Sequence, residues 1–66
     1  MPARTLLLAL AKRLDQQPGR PASVFPIRDW ARFYGATPDQ LGLLPHPPDG
    51  ATYAEYADRL RHLANT

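Results

Sequence analysis

The chain has 66 residues, 44% of them hydrophobic and 21% charged, with no cysteine and a net charge of +2. That is one domain at most, residues 1–66, with a small core and marginal stability, and it excludes a disulfide framework or a thiolate zinc site. The composition suits a globular domain rather than a disordered tail, so helix packing or a partner chain must hold it together.

The charge is unevenly spread. Residues 1–33 carry Arg4, Lys12, Arg13, Arg20, Arg28 and Arg32 against Asp15 and Asp29. Residues 34–66 carry Arg59 and Arg61 against Asp39, Asp49, Glu55 and Asp58. A basic front can attract nucleic acid or an acidic protein. Charges this sparse are also what an ordinary solvated surface shows. The Ala, Arg, Leu and Pro bias is that of a GC-rich bacterial genome.

A first helix is expected over residues 2–17. Pro2 suits a first-turn position and Pro18-Gly19 is a stop. Ala3, Leu6, Leu7, Leu10, Ala11 and Leu14 share one face at helical spacing. Leu8 falls off that stripe, near Lys12, and is a candidate self-association or partner contact. The apolar run 6–11 after Arg4 is too short for a membrane span and meets Lys12 and Arg13 at once, without a cleavage region. A cytoplasmic protein with no membrane partner is the expectation.

Residues 17–23 compose a loop. A second helix begins near Ser23 to Pro26, with Ser23 as a cap and Pro26 in the first turn. Ile27, Trp30, Ala31, Phe33 and Tyr34 are read as its wide apolar face, with Arg28 and Arg32 opposite. Gly35 is a natural stop. A short third helix opens at Thr37-Pro38-Asp39-Gln40, a capping box with Pro at the first position. Leu41 and Leu44 face inward, Gly42 weakens the helix and Pro45 ends it. Residues 45–50 are an extended or turn connection.

The last helix starts at Thr52, with Glu55 completing a second capping box. Tyr53, Tyr56, Ala57, Leu60, Leu63 and Ala64 form its apolar stripe, and Glu55–Arg59 and Asp58–His62 are spaced as i,i+4 pairs. The fold class expected is all-α: a small bundle of three main helices plus one short helix, with no strand pattern and no repeat.

Residues 27–44 resemble the bacterial helix-turn-helix of repressor-type domains. Trp30, Ala31, Tyr34, Gly35, Ala36, Leu41 and Leu44 fill its roles: Ala for close helix approach, Gly for the turn, Leu to lock the second helix. The resemblance implies a DNA-binding transcriptional regulator, dimeric in such a family. The segment also resembles the closing helices of repressor-type domains, whose short packing helix reads no DNA. The would-be recognition helix departs from a DNA reader. It offers Thr37, Asp39 and Gln40 but no Arg or Lys, whereas phosphate neutralisation dominates DNA affinity.

Arg28 and Arg32 stand at i and i+4, a like-charge spacing that weakens a helix unless something answers it. A partner carboxylate cluster or phosphates would do so; so would Asp29 and solvent. Lys12 and Arg13 extend the patch if the helices bring them near. Leu43, beside Leu44 and Pro45, can form an exposed apolar edge. Most of the aromatics are expected in the core, and one left exposed would be an interface anchor. His46 and His62 are far apart and lack ligand spacing, so no metal and no cofactor are expected. There is no phosphate-binding Gly loop, Ser23 has no base nearby in sequence, and a chain this short hardly builds a water-excluding pocket, so an enzyme is not expected.

The function expected is therefore a small regulatory or inhibitory protein of bacterial or phage type. It would bind a larger protein through a helical face that includes Arg28, Arg32, Leu8, Lys12 and Leu43. A dimeric helix-turn-helix DNA binder is the alternative, and a structural or assembly subunit, stable as an oligomer, is a third possibility.

Overall fold

Leucines and alanines recurring at three- and four-residue steps build the first helix, α1 (Ala3–Leu14), which buries Leu6, Leu7, Leu10, Ala11 and Leu14. It belongs to a computed structural model that describes residues 2–65, and among these the chain is all-α. The helix ends sooner than the stop at Pro18-Gly19 suggests. A residue before proline disfavours the α conformation. That restriction acts at Gln17, and Pro18 has no N–H to give the Leu14 carbonyl. The chain past Leu14 runs in turns held by the Gln16 N–H to Arg13 carbonyl and Gln17 N–H to Leu14 carbonyl bonds (3.3 and 3.1 Å).

Helix α2 (Val24–Phe33) buries only Ile27 and Ala31. Pro26 lies within the first turn, where a missing N–H breaks no helical bond. Ser23 has extended backbone angles but its side chain makes no capping hydrogen bond, contrary to the role its sequence position suggests. The C-terminus is closed by two crossed bonds, Ala36 N–H to Ala31 carbonyl (3.0 Å) and Gly35 N–H to Arg32 carbonyl (2.9 Å). This is the Schellman arrangement, and it needs the left-handed φ of 88° that Gly35 adopts.

Helix α3 (Pro38–Gly42) is shorter than residues 37–44 and has its capping box fully formed: Gln40 N–H donates to Thr37 Oγ1, and Thr37 N–H to Gln40 Oε1. Leu44, beyond its end, is buried in the core. Helix α4 (Tyr53–Ala64) starts where the Thr52–Glu55 spacing places it.

The N-terminus of α4 is the best-tied point of the fold. Helix starts leave their first backbone N–H groups without helical partners. Here Thr52 N–H donates to Glu55 Oε1 and Glu55 N–H to Thr52 Oγ1. Tyr53 N–H donates to the Arg20 carbonyl (2.8 Å) and Ala54 N–H to the Pro18 carbonyl (3.0 Å). The α1–α2 loop thus docks on α4 through backbone, with an Ala22 N–H to Ala51 carbonyl bond (2.8 Å) completing the junction.

Packing follows from these ties. Helices α1 and α4 form the principal interface, α2 lies against α1, and α3 against α2. The core joins the α1 leucines, Ile27, Ala31 and Leu44 to Tyr53, Tyr56, Ala57, Leu60 and Ala64. Trp30, Tyr34, Leu41 and Leu63 cover its edge. Arg61 pairs with the Asp15 carboxylate across the α1–α4 seam and reaches Asp58 at 3.4 Å. Asp58 therefore meets Arg61, not the i,i+4 partner His62, and Glu55 turns back to its cap. Among the described residues no helix is long and apolar enough to cross a membrane.

Candidate functional site

Among the described residues four large apolar side chains escape the core: Leu8 (39% exposed), Leu43 (54%), Phe25 (76%) and Phe33 (85%). The two phenylalanines are both on α2, and helical geometry explains them. At about 100° per residue, Phe25 lies about 160° and Phe33 about 120° around from Ile27, which points into the core. Phe33 is thus solvent-facing rather than part of the α2 apolar face. Trp30 and Tyr34 do belong to that face and are half-buried.

Between the phenylalanines sit Asp29 and Arg32. The Arg32 guanidinium reaches the Asp29 carboxylate at 3.0 Å, and both side chains are largely exposed. An ion pair so solvated adds at most about 1 kcal/mol. The outer face of α2 is therefore two Phe rings flanking a self-neutralised charge pair. The i,i+4 arginines do not act as a unit, because Arg28 turns the other way.

Arg28 is half-buried, and its Nε is out of contact with solvent and has no hydrogen-bond partner. It is not on the solvent face with Arg32. Its charge is felt at Tyr56, whose phenol donates to the Pro45 carbonyl at 2.7 Å. Burial pushes the Tyr56 pKa up from 10.0 to about 12, while Arg28 pulls it partly back. Arg28 thus belongs to the packing of α2 towards α4.

Around the edge of α2 lies a cleft of about 350 Å³ lined by Arg13, Gln16, Trp30, Phe33 and Tyr34. The Arg13 guanidinium sits 4.8 Å over the Trp30 ring. It also donates to Gln16 Oε1 at 2.6 Å. Trp30 is braced from behind by the buried Tyr53 ring, edge-on at 5.7 Å, and Phe33 meets Tyr34 edge-on at 5.8 Å. The cluster joins the last turn of α1 to the last turn of α2, which no sequence spacing relates.

The remaining sequence-derived candidates lie elsewhere. Leu43 lines a shallow apolar groove with Ala3, Arg4, Leu7, Leu63 and Ala64. Leu8 and Lys12 are exposed on α1, one turn apart and on its outward side with Arg4. Arg32 alone of the five is on the α2 face. His46 lines a third cleft with Glu55 and Arg59, but Glu55 is occupied at the Thr52 cap. Among the described residues no group of three His, Asp or Glu side chains converges as metal ligands would.

Sequence reasoning missed Phe25 and the exposure of Phe33, and gave Arg13 only as an extension, with Lys12, of the Arg28–Arg32 patch. The angular arithmetic that puts both rings opposite Ile27 was available in the sequence; the Arg13–Trp30 stack was not. No family model, curated protein or solved structure matches the chain.

Proposed function

We propose that the chain is a small non-enzymatic regulatory or inhibitory protein that docks on a larger protein through the outer face of α2. The carrying observation is the pair of exposed rings, Phe25 and Phe33, on one face of a helix whose other face supplies the core. Aromatic side chains are enriched among the few residues that dominate binding energy. A helix that offers an apolar anchor at each end and a charge pair between them is suited to a groove on a partner, the helix-in-groove mode. Arg32 is the polar contact in this reading, and it has only a solvated ion pair to give up.

DNA reading is the weaker alternative. Helix α3, in the position of a recognition helix, has five residues and carries Asp39 in its first turn. A negative charge there opposes phosphate contact. A role as an assembly subunit would use the same α2 face with a different partner.

The test is capture from the source cell with wild type and Phe25→Ser/Phe33→Ser side by side, after melting curves show both equally folded. The expected result is a specific partner held by wild type and lost by the double variant. A partner retained equally by both would defeat the reading.

A further inference from the structure

We propose that the cleft between the C-terminal turns of α1 and α2 receives an acidic peptide segment. Arg13 would take a carboxylate, and the Trp30–Phe33 wall an aromatic or aliphatic side chain next to it. The proposal rests on the protein-binding reading of α2 and specifies the chemistry of the partner.

Three features carry it. First, the lining is Arg13, Gln16, Trp30, Phe33 and Tyr34, so its one charged group is a cation and no carboxylate faces it. The nearest α2 carboxylate, Asp29, is engaged by Arg32, and Asp15, just past α1, is engaged by Arg61. A carboxylate-bearing ligand complements this charge.

Second, Arg13 is held in place before any ligand arrives. Its guanidinium lies over Trp30, and one of its amino groups donates to Gln16 Oε1. A guanidinium carries five N–H donors in a planar fork, and a single donation to Gln16 leaves donors for a bidentate carboxylate. Stacking on the ring and bonding to Gln16 remove much of the side-chain freedom that an exposed arginine loses on binding. Trp30 is itself fixed by the buried Tyr53. The receptor is therefore anchored to the core rather than assembled by the ligand.

Third, the apolar wall stands directly beside the cation. Phe33 is almost fully exposed and Trp30 and Tyr34 half-exposed, so an incoming ring or branched aliphatic group can cover all three. A volume of about 350 Å³ accommodates one or two peptide side chains. Aromatics beside an arginine also suit single-stranded nucleic acid, but that mode tracks the backbone with a series of cations. Here Arg13 is the only cation lining the cleft, which offers no such series.

Trp30 is the single tryptophan of the chain, so its fluorescence reports the cleft directly. The experiment selects binders to the intact chain from a displayed library of random dodecapeptides, then titrates the selected peptides, and oligothymidylate separately, against Trp30 emission. The expected outcome is sequences that place Asp or Glu within a residue or two of an aromatic or aliphatic side chain. They should change Trp30 emission saturably and bind Arg13→Ala about tenfold or more weakly. Arg13→Gln, which keeps a side chain of similar length, should show the same loss, and both variants should melt like wild type. Selected peptides without acidic residues, binding unaffected by either variant, no enriched peptide, or tighter saturation by oligothymidylate would each overturn the proposal. A cellular partner kept by Arg13→Ala but lost by Phe25→Ser/Phe33→Ser would overturn this inference and leave the α2 docking reading standing.

Discussion

Helix α4 buries Tyr53, Tyr56, Ala57, Leu60 and Ala64, whereas α2 buries only Ile27 and Ala31 and leaves Phe25 and Phe33 in solvent. The first turn of α4 is also tied by its capping box and by two backbone bonds from the α1–α2 loop. Helix α2 has no side-chain cap. Almost every large apolar residue of α4 goes to packing, while α2 carries more aromatic surface than the core takes up. That surplus, and the looser start, is where a small protein can hold an interaction face without dismantling its core. Stability and binding should therefore respond to different helices.

The largest contrast is between two truncations. Leu60 is fully buried at the α1–α4 seam. Leu60→Ala should cost about 2–5 kcal/mol through lost transfer energy and the cavity left behind. For a chain of this length the total is roughly 3–10 kcal/mol by the usual stability per residue, so Leu60→Ala should lower the melting temperature severely or unfold the protein. Phe33→Ala removes a larger side chain yet should stay within about 0.5 kcal/mol of wild type, because the ring is in water. Thermal melts by circular dichroism separate the two. A Phe33→Ala loss matching that of Leu60→Ala would mean that the α2 face is packed, not free.

The next contrast lies within the α4 core and is read by pH. Burial holds the Tyr56 phenol protonated up to about pH 12, whereas an unfolded tyrosine releases its proton near 10.0. Between those values the unfolded state binds fewer protons than the folded state, so stability falls as pH rises. The contribution is fully present below about pH 10 and is lost through about pH 12, for a total of about 2–3 kcal/mol. Tyr56→Phe should give up about 1 kcal/mol at neutral pH, because the Pro45 carbonyl loses its donor, and should flatten the alkaline fall. Denaturant midpoints across the alkaline range check this: parallel slopes for wild type and Tyr56→Phe would remove the assignment.

The same contrast explains what could be read from the chain. The α4 stripe, both capping boxes and the Gly35 stop were legible, because each depends on neighbours three or four residues apart and on backbone rules. The all-α class follows from the same periodicity. Arg28 was not legible as an inward residue. It flanks the buried Ile27–Ala31 stripe, and only the placement of α4 decides that its stem packs there and its charge acts on Tyr56. The Arg13–Trp30 stack depends on how α1 crosses α2, which local spacing does not encode. Phe33 is a different case: grouping it with Trp30 and Tyr34 followed their adjacency in sequence, and the helical angle from Ile27 separates them.

The smallest predicted difference concerns the two helix starts. Thr52 and Ser23 both stand one residue before a helix with extended backbone angles, yet only Thr52 engages its helix through the side chain. Thr52 Oγ1 accepts from Glu55 N–H at 3.3 Å and lies 3.2 Å from Glu55 Oε1. Thr52→Ala would leave Glu55 N–H without its cap and should cost about 1 kcal/mol. Ser23→Ala removes no capping bond, so its effect should stay within about 0.5 kcal/mol of zero. Melting the two variants in parallel tests whether α4 is the tied helix and α2 the lightly held one. Equal losses would mean that Ser23 caps α2 in solution, and the two helices would then start alike. A loss confined to Thr52→Ala ties the asymmetry to the same junction where the α1–α2 loop docks, and leaves the first turn of α2, with Phe25 on it, without a side-chain tie of its own.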